Sequence, residues 1–449
     1  MNDLSIVRSD GDTPVVAIVG RPNVGKSTLF NRLIGYRHAI VSDVAGTTRD
    51  RVIGRVQWDD KSFLLVDTGG LDFDVNSDLD AQVQSQVNVA IEDADCIIFL
   101  TDCVDGLTPT DVEVGEILRK SQKHVVLAVN KVDNALREHN IYEFYELGLG
   151  DPSPISAYHK IGIDELMAQL IKIIPPHTAA AYDPDTLRLS IVGRTNVGKS
   201  SLINSIVQEE RAVVSDQAGT TRDPVDTFMD YGGRSVVLVD TAGIRRRGKV
   251  EQGIEKYSVI RSIKSIARSD VSVLVIDARD PMSAQDLHIA GDVLSNYVGM
   301  IVAVNKWDLV KDQDTERKEY MEWVEAQLRF ASYVPIIFCS ALTGEGINDL
   351  LSNSVEVFEE RKKIIPGEEL RELLFDALIK HPPPGLGRRT LKIYDLRQIG
   401  VNPPAFSLSV NNPAYMHFSY KRYLENEIRR KFGFKGNHLQ LRFQRRGEQ

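Results

Sequence analysis

Two short glycine-rich stretches contain the residue types needed to hold the phosphates of a nucleotide. Gly20–Ser27 and Gly193–Ser200 both fit the pattern G-x-x-x-x-G-K-[ST]. In such a loop, glycines let backbone N–H groups point at phosphate oxygens. The lysine reaches the β- and γ-phosphates, and the serine hydroxyl ligates Mg²⁺. A chance glycine turn could explain one copy, but not nearly the same sixteen residues repeated 173 positions later. The pattern therefore predicts two phosphate-binding loops in one chain.

A second repeated motif, N-K-x-D, predicts which base is bound. It occurs as NKVD at Asn130–Asp133 and as NKWD at Asn305–Asp308. A carboxylate at the fourth position accepts hydrogen bonds from N1–H and the N2 amino group of guanine, whereas adenine offers no such edge. The asparagine braces the loop, the lysine stem covers the base, and a later S-A turn supplies a backbone N–H for guanine O6. A lone N-K-x-D is weak evidence, but after a phosphate loop and D-x-x-G it indicates guanine.

The D-x-x-G motif between those two motifs predicts the metal and γ-phosphate contacts. Asp67 and Asp240 follow strand-like segments and are expected to hold the Mg²⁺ shell through water. Gly70 and Gly243 are expected to donate a backbone N–H to the γ-phosphate. The repeated "GTTRD" segments are candidates for the switch that closes on Mg²⁺ when the γ-phosphate is present, with an exposed turn as the alternative.

One residue type common in GTPases is absent after D-x-x-G. Many GTPases place a glutamine there to orient the attacking water, but this chain has Leu71 and Ile244. We therefore expect slow hydrolysis unless another group or ion contributes. Asn23 and Asn196, inside the phosphate loops, are candidate ligands of K⁺. Their alternative role is a hydrogen bond that braces the loop.

These motifs define two sets of candidate nucleotide-binding residues. The first set is Gly20, Arg21, Pro22, Asn23, Val24, Gly25, Lys26, Ser27, Asp67, Thr68, Gly69, Gly70, Leu71, Asn130, Lys131, Val132, Asp133, Ser156 and Ala157. The second set is Gly193, Arg194, Thr195, Asn196, Val197, Gly198, Lys199, Ser200, Asp240, Thr241, Ala242, Gly243, Ile244, Asn305, Lys306, Trp307, Asp308, Ser340 and Ala341. Ser27 and Ser200 are the candidate Mg²⁺ ligands within them, and the candidate catalytic residues are Lys26, Gly70, Lys199 and Gly243.

The segments around the motifs predict the fold. Each half alternates apolar runs such as "CIIFLTD" and "VSVLVID" with amphipathic helical stretches, which indicates mainly parallel strands covered on both faces. This is a doubly wound α/β fold, in which ligands bind beyond the carboxyl ends of the strands. We expect a disordered tail (1–14), a first P-loop G domain (15–174), a linker (175–187), a second G domain (188–362) and a small C-terminal α+β domain (363–449).

The C-terminal segment differs from the repeats in pattern and in charge. Its predicted order is helix, strand, strand, helix, strand. From residue 364 it has 15 Lys and Arg against 8 Asp and Glu, a balance of +7 that leaves −16 for the remainder. Arginines and lysines interleaved with aromatic residues suit RNA, and a solvated basic face is the alternative. The basic residues in question are Arg429, Arg430, Lys431, Arg442, Arg445 and Arg446. "GFKG" (Gly433–Gly436) imitates an RNA-binding G-x-x-G loop, but it leads from a helix to a strand, so Gly433 is interpreted as a helix terminator.

Composition narrows the class of protein. The chain of 449 residues is 42% hydrophobic and 26% charged, as in ordinary globular proteins, and no apolar run is long enough for a transmembrane helix. Its first residues do not resemble a signal peptide. Cys96, Cys103 and Cys339 are odd in number and lack metal-ligand spacing, which predicts reduced thiols and a cytoplasmic location.

Two G domains followed by a small basic α+β domain resemble the EngA/Der family of tandem GTPases in bacterial ribosome assembly. The resemblance is carried by "GRPNVGKS", "GRTNVGKS", both "GTTRD" segments, "DTGG", "DTAGIRRRGKV", "NKVD", "NKWD" and "GVNPPAFSLSVN". It implies a KH-like C-terminal domain without a working G-x-x-G loop, and a role in assembly of the large ribosomal subunit. It also implies that Thr48 and Thr221 are Mg²⁺ ligands. The family replaces the glutamine by a hydrophobic residue, and some such GTPases use K⁺.

The leading hypothesis is therefore a GTP-hydrolysing assembly factor, expected to be a monomer, that binds rRNA according to its nucleotide state. The basic stretch Gly243–Val250 is a further candidate RNA contact, or a solvated loop. Two other classes compete with this hypothesis. One is a scaffold in which GTP is structural, favoured by the missing glutamine and opposed by two intact sets of magnesium and phosphate residues. The other is a membrane-transport regulator, disfavoured because no membrane segment is evident.

Overall fold

The structure is a computed structural model. It describes residues 13–34, 53–58, 61–70, 79–175, 182–209, 226–241, 259–280, 282–310, 313–383, 385–386 and 389–447. The chain divides into two compact units. One unit comprises Gly11–Ala179 with Lys256–Lys264, and the other comprises Met1–Asp10, Ala180–Glu255 and Ser265–Gln449. The predicted second G domain and C-terminal domain thus share a unit, and the domain boundaries given above stay predictions.

The first repeat forms a six-stranded sheet with strand order β2-β3-β1-β4-β5-β6. All neighbouring strands are parallel except the antiparallel pair β2 and β3. Its strands are β1 (Val15–Val19), β2 (Ile53–Trp58), β3 (Lys61–Asp67), β4 (Cys96–Asp102), β5 (His124–Asn130) and β6 (Ser153–Pro154). The α-helices described in this repeat are α1 (Lys26–Ile34), α2 (Leu79–Asp93), α3 (Pro109–Lys120), α4 (Ala135–Glu138) and α5 (Ile163–Ile173).

The second repeat forms a matching six-stranded sheet, β12-β11-β10-β7-β9-β8, again with one antiparallel pair at its edge. Its strands are β7 (Leu187–Val192), β8 (Thr227–Tyr231), β9 (Arg234–Leu238), β10 (Val271–Asp277), β11 (Gly299–Asn305) and β12 (Ile336–Phe338). The helices described are α6 (Lys199–Glu209), α7 (Val259–Arg268), α8 (Ala284–Ser295), α9 (Gln313–Gln327) and α10 (Ile347–Arg361). Segments of 3₁₀ helix in the described chain lie at Thr68–Gly70, His139–Leu147, Trp307–Leu309, Arg329–Ala331 and Pro413–Tyr415.

The apolar runs of the sequence form the central strands because they can be buried on both faces. Every residue of β1, β4 and β10 is buried. The edge strands β2 and β8 are not predicted from the sequence, because their segments "IGRVQW" and "TFMDY" mix polar and apolar residues. The predicted doubly wound, mainly parallel architecture is confirmed for both repeats.

The C-terminal segment has the predicted order of helix, strand, strand, helix, strand. A three-stranded sheet, β15-β16-β17, is antiparallel between its first two strands and parallel between its last two. A further pair, β13 and β14, is not predicted from the sequence. The elements are α11 (Gly367–Lys380), β13 (Gly385–Leu386), β14 (Arg389–Thr390), β15 (Ile393–Gly400), β16 (Ala405–Val410), α12 (Phe418–Phe432) and β17 (Gln440–Arg445).

Two sequence-based expectations about environment can be compared with the structure. Cys96, Cys103 and Cys339 are free and buried, and burial raises the pKa of Cys339 to about 12, which makes it an inert thiol. No helix in the described ranges combines the length and the apolar character that a membrane span requires.

Arg361, at the end of α10, joins the second G domain to the C-terminal domain. Its guanidinium is fully buried and donates to Asn402 Oδ1 at 2.7 Å, Asn437 Oδ1 at 3.0 Å and the carbonyl of Tyr297 at 2.9 Å. Asn402 in turn donates to Asp270 at 2.8 Å. Burial lowers the pKa of Arg361 to about 10, so the group remains charged at neutral pH. The contact is therefore a buried polar network in which every member needs its partners.

We predict that Arg361→Ala lowers the free energy of unfolding by about 3–5 kcal/mol, because it leaves buried acceptors unpaired and opens a cavity. Urea titration followed by circular dichroism measures the change. Arg397→Ala is the control, since the Arg397 side chain is 73% exposed, and it should change stability by no more than about 0.5 kcal/mol. Equal stability of the two variants would contradict the structural importance of this network.

Candidate functional site

The two phosphate loops lie where the sequence motifs place them, between a buried strand and a helix. The first leads from β1 into α1, and the second leads from β7 into α6. Lys26 is buried and donates to the carbonyls of Gly20 at 2.7 Å and Arg21 at 2.8 Å. Lys199 donates to the corresponding carbonyl of Arg194. Burial lowers the pKa of Lys26 to about 8, which still leaves it mostly protonated at pH 7.

The asparagine of each N-K-x-D motif holds the phosphate loop against the S-A turn. Asn130 donates to the Val24 carbonyl at 2.8 Å and accepts from the Ala157 backbone N–H at 3.0 Å. Gly25 lies against this amide with φ +100°, and a Cβ added there would meet Asn130 Nδ2 at 2.3 Å. Only glycine therefore fits that position of the loop.

The second repeat has the same arrangement. Asn305 donates to the Val197 carbonyl at 2.8 Å and accepts from the Ala341 N–H at 3.0 Å. A Cβ on Gly198 would meet Asn305 Nδ2 at 2.3 Å. In both repeats the structure thus brings the phosphate loop, the N-K-x-D motif and the S-A turn together at the carboxyl ends of the strands.

The lysines of N-K-x-D are anchored by two aspartates that lie outside the sequence motifs. Lys306 donates to Asp277 Oδ2 and to the Asn196 carbonyl, each at 2.6 Å, and Lys131 forms an ion pair with buried Asp102. Burial alone would raise the pKa of Asp277, but hydrogen bonds from Arg279 and Lys306 outweigh it and lower the pKa to about 2.

A signal for these aspartates is present in the repeat. Asp102 and Asp277 are the last residues of β4 and β10, and they are separated by 175 positions, as are the two N-K-x-D motifs. Aligning the repeats over their whole length, rather than motif by motif, identifies them.

The two carboxylates predicted to recognise the base have different neighbours. Asp133 Oδ1 accepts from Arg137 Nη1 at 2.8 Å and from Asn134 Nδ2 at 2.9 Å. Asp308 Oδ1 instead accepts from the Ser340 hydroxyl at 2.5 Å. Each carboxylate is therefore oriented by neighbouring side chains, and these neighbours differ between the two repeats.

The serine and aspartate predicted to serve Mg²⁺ converge in the first repeat. The Ser27 hydroxyl donates to Asp67 Oδ2 at 2.7 Å, and the Gly69 N–H donates to Asp67 Oδ1 at 2.9 Å. Hard oxygen donors of this kind suit Mg²⁺. Thr68 lies behind them and donates to the Ile18 carbonyl at 2.7 Å.

The equivalent aspartate of the second repeat is held differently. Asp240 has φ +59° and accepts from the Ser265 hydroxyl of α7 at 3.1 Å, and its backbone N–H donates to Asp226 Oδ1 at 2.9 Å. Thr241, the next residue, is hydrogen-bonded to Thr227 at 2.7 Å. The two candidate metal sites are thus in different arrangements in one chain.

Other predicted residues fall into three groups. Side chains that pack in the interior, so that only their backbone can face a ligand, are Val24, Val132, Val197 and Trp307. Loop residues with positive φ and exposed side chains are the candidate K⁺ ligands Asn23 and Asn196. Predicted residues outside the described ranges are Thr48, Leu71, Thr221, Ala242, Gly243 and Ile244, together with the rest of Gly243–Val250.

The structure assigns Arg429, one of the predicted RNA contacts, to another role. Its guanidinium is 3.5 Å from the ring centroid of Tyr333, pairs with Glu425 at 2.9 Å and donates to the Phe434 carbonyl at 3.2 Å. Its side chain is only 10% exposed, whereas that of Arg430 is 63% exposed. Arg429 therefore holds the C-terminal domain against the second G domain. The candidate RNA contacts are the exposed basic residues that neighbour it, such as Arg430.

The Gly433–Gly436 segment, which matches the G-x-x-G pattern, also packs against the second G domain. The Gly436 N–H donates to the Tyr333 carbonyl at 2.8 Å, and its carbonyl accepts from the Met300 N–H at 2.7 Å. A Cβ on Gly436 would meet Val357 at 2.5 Å. The loop is closed against the second G domain, which agrees with its exclusion as an RNA-binding loop.

Comparison with known proteins gives the same organisation. The family model described as "50S ribosome-binding GTPase" matches residues 15–131 and 188–306. The model described as "KH-domain-like of EngA bacterial GTPase enzymes, C-terminal" matches 365–444. The elongation factor Tu GTP-binding domain model matches 253–360.

Curated relatives match along nearly the whole chain. The GTPase Der of Caldanaerobacter subterraneus is 46% identical over 97% of this chain and 99% of the relative. The GTPase Der of Alkaliphilus metalliredigens is 46% identical over 95% and 97%. Among solved structures, the G domain of the T. maritima FeoB iron transporter aligns at 25% identity with a TM-score of 0.28, over 36% of this chain and 99% of that one.

Proposed function

Because the chain belongs to the GTPase Der family, and is a GTP-binding, GTP-hydrolysing enzyme, we propose that it acts in assembly of the large ribosomal subunit. In this proposal it binds the ribosome and its rRNA according to the nucleotides in its two G domains. The observation that carries the proposal is the pair of complete guanine-nucleotide motif sets joined to a docked basic KH-like domain. The alternative in which GTP is purely structural disagrees with membership in a family of GTPases.

We propose the same chemistry at both sites. Backbone N–H groups of each loop and the ammonium of Lys26 or Lys199 hold the phosphates. Asp133 or Asp308 reads the guanine edge. When bound, Mg²⁺ would neutralise negative charge on the phosphates. Ser27 and Ser200, with Thr48 and Thr221, are its proposed ligands, and the Ser27–Asp67 contact supports this choice. Gly70 and Gly243 stabilise the γ-phosphate through their backbone N–H groups.

The residue types that follow each D-x-x-G motif leave open how hydrolysis is accelerated without glutamine. Leu71 and Ile244 cannot hydrogen-bond to water. We propose that the Asn23 and Asn196 side chains hold K⁺ in part, which would supply positive charge to the negative charge that develops on the phosphates. Both asparagines have exposed side chains in the loop, which supports this role.

The C-terminal domain supplies the proposed rRNA contact through its exposed basic residues, and the G domains determine when contact is allowed. The chain as a whole has a net charge of −9, so RNA is repelled unless a local positive surface compensates. We further propose a cytoplasmic location, supported by three free buried thiols, and a monomeric state.

We predict that replacing K⁺ by Na⁺ at constant ionic strength slows GTP turnover more than about tenfold, which corresponds to roughly 1.4 kcal/mol of activation free energy. Phosphate release under multiple turnover measures the rate. Asn23→Ala with Asn196→Ala should abolish the difference between the two salts. Equal rates for the unaltered chain in K⁺ and Na⁺ would remove K⁺ from the mechanism.

We predict that Arg430→Ala, Lys431→Ala and Arg445→Ala, combined in one chain, weaken its cosedimentation with large ribosomal subunits. The salt dependence should also become shallower, by about 0.7–0.9 in log–log slope for each phosphate that the protein no longer neutralises. Cosedimentation is measured with GDP, with GTP and with a non-hydrolysable GTP analogue across a salt series.

A matched variant separates a local contact from the effect of total charge. Lys120, Lys160 and Lys172 are exposed in the first repeat, and their triple replacement by alanine removes the same three charges. It should leave the salt slope unchanged, and neither triple variant should alter GTP turnover of the free protein. Equal weakening in both variants, or no weakening in the first, would show that the C-terminal face is merely solvated.

A further inference from the structure

A buried carboxylate at the start of α3 has more partners than helix capping requires. Asp111 accepts from the Thr108 hydroxyl at 2.7 Å and from the Thr108 N–H at 3.2 Å, which completes a capping box. Both of its carboxylate oxygens also receive Arg21 Nε at 3.1 Å. Arg21 is the first variable residue of the phosphate loop. The carboxylate of a second, exposed aspartate, Asp105, lies 3.4 Å from Nη2 of Arg21.

The second repeat has the corresponding residues in the same order, with an Arg194–Asp286 ion pair at the position of the Arg21–Asp111 hydrogen bonds. Asp286 caps α8 through Ser283 and lies 2.8 Å from Arg194 Nε. Asp280 pairs with Arg194 Nη1 at 2.8 Å. The pairs Asp105 and Asp280, and Asp111 and Asp286, are each separated by 175 positions. The cluster is therefore a feature of the G domain itself, present in both copies.

Capping alone does not account for this arrangement. A helix start can be capped by an exposed aspartate, whereas Asp111 and Asp286 are fully buried. A buried carboxylate is costly unless a charged, hydrogen-bonded partner compensates it. In both repeats the compensating charge comes from the phosphate loop, although the capped helix does not require a partner from that loop.

The arginine connects this cluster to the phosphate-binding lysine. The Arg21 carbonyl accepts a hydrogen bond from Lys26 Nζ, and the Arg194 carbonyl accepts one from Lys199 Nζ. The guanidinium and the carbonyl belong to one residue, so fixing the side chain restricts where the carbonyl lies. When the side chain is released, the carbonyl that accepts the hydrogen bond from the lysine Nζ is held less firmly.

We propose that Asp111 and Asp286 are positioning residues of the two nucleotide sites, acting through Arg21 and Arg194 on the shape that the phosphate loop has in both repeats. The proposal rests on the assignment of these loops as nucleotide sites, and it is independent of ribosome binding. It assigns to the helix after β4, and to its counterpart after β10, an indirect role in phosphate binding that runs through the arginine and the lysine of the loop.

The test uses full-length chains in which one site is silenced. Lys199→Ala silences the second site, so that release of fluorescent GDP and the steady-state kinetics report on the first. In this background, Asp111→Asn should raise the GDP dissociation rate and lower kcat/KM, each by about tenfold, as expected when a charge-assisted hydrogen bond is removed. Asp286→Asn should do the same at the second site in a Lys26→Ala background.

Two further variants separate positioning from capping. Thr108→Ala removes the cap and keeps the ion pair, so it should lower the thermal midpoint but leave GDP release within about twofold of the parent. Arg21→Met keeps the cap and removes the ion pair, so it should reproduce the faster release even if Asp111→Asn folds poorly. If Thr108→Ala speeds release as much as Asp111→Asn, or if Asp111→Asn and Arg21→Met both leave release unchanged, the proposal is wrong.

A different result would be expected if the two loops were not nucleotide-binding sites. If Lys26→Ala and Lys199→Ala together left GDP binding intact, the loops would not be the nucleotide sites, whatever the Asp111 variants did. Retained GDP binding at the second site of an Asp111→Asn chain with Lys199 intact shows that the rest of the molecule is folded.

Discussion

The side-chain amide of Asn130, and that of Asn305 in the second repeat, holds together three segments that are distant in sequence. Each amide donates to the phosphate loop and accepts from the S-A turn, while its own backbone belongs to the N-K-x-D loop. In the proposed site the phosphates and the base of a nucleotide are recognised by different loops, so a fixed distance between these loops is a condition of binding. The glycine beside each amide follows from the same constraint, because a Cβ would displace it.

Around this shared frame the two sites differ in their details. Asp133 is oriented by Arg137 and Asn134, whereas Asp308 is oriented by Ser340. Ser27 contacts Asp67, whereas Asp240 is engaged by Ser265. Duplication therefore preserved the chemistry of binding while allowing the neighbours to change. Two sites with different neighbours can be occupied and emptied at different rates.

Motif spacing is sufficient to predict the fold class and which segments meet at the carboxyl ends of the strands, because a phosphate loop restricts both backbone shape and residue type. It cannot identify Asp102 or Asp111, whose roles depend on which side chains meet after folding. The strand β2 escapes prediction because its polar residues obscure the apolar pattern of an edge strand. The prediction of Arg429 as an RNA contact is wrong for a related reason. The sequence shows that the residue is charged, but only the structure shows that its guanidinium stacks on Tyr333 and pairs with Glu425.

The central claim is that one chain holds two independent guanine-specific sites, each read by a single carboxylate. Titration calorimetry with GDP and with xanthosine diphosphate tests it most directly in the parent chain, Asp133→Asn, Asp308→Asn and the double variant. We predict two GDP per parent chain. Each single variant should bind one GDP and one xanthosine diphosphate, and the double variant should bind two xanthosine diphosphates. Removing the carboxylate's hydrogen bonds to the base is expected to weaken GDP binding by about 1–3 kcal/mol at each altered site. Retention of two GDP sites with parent affinity in both single variants would contradict the account.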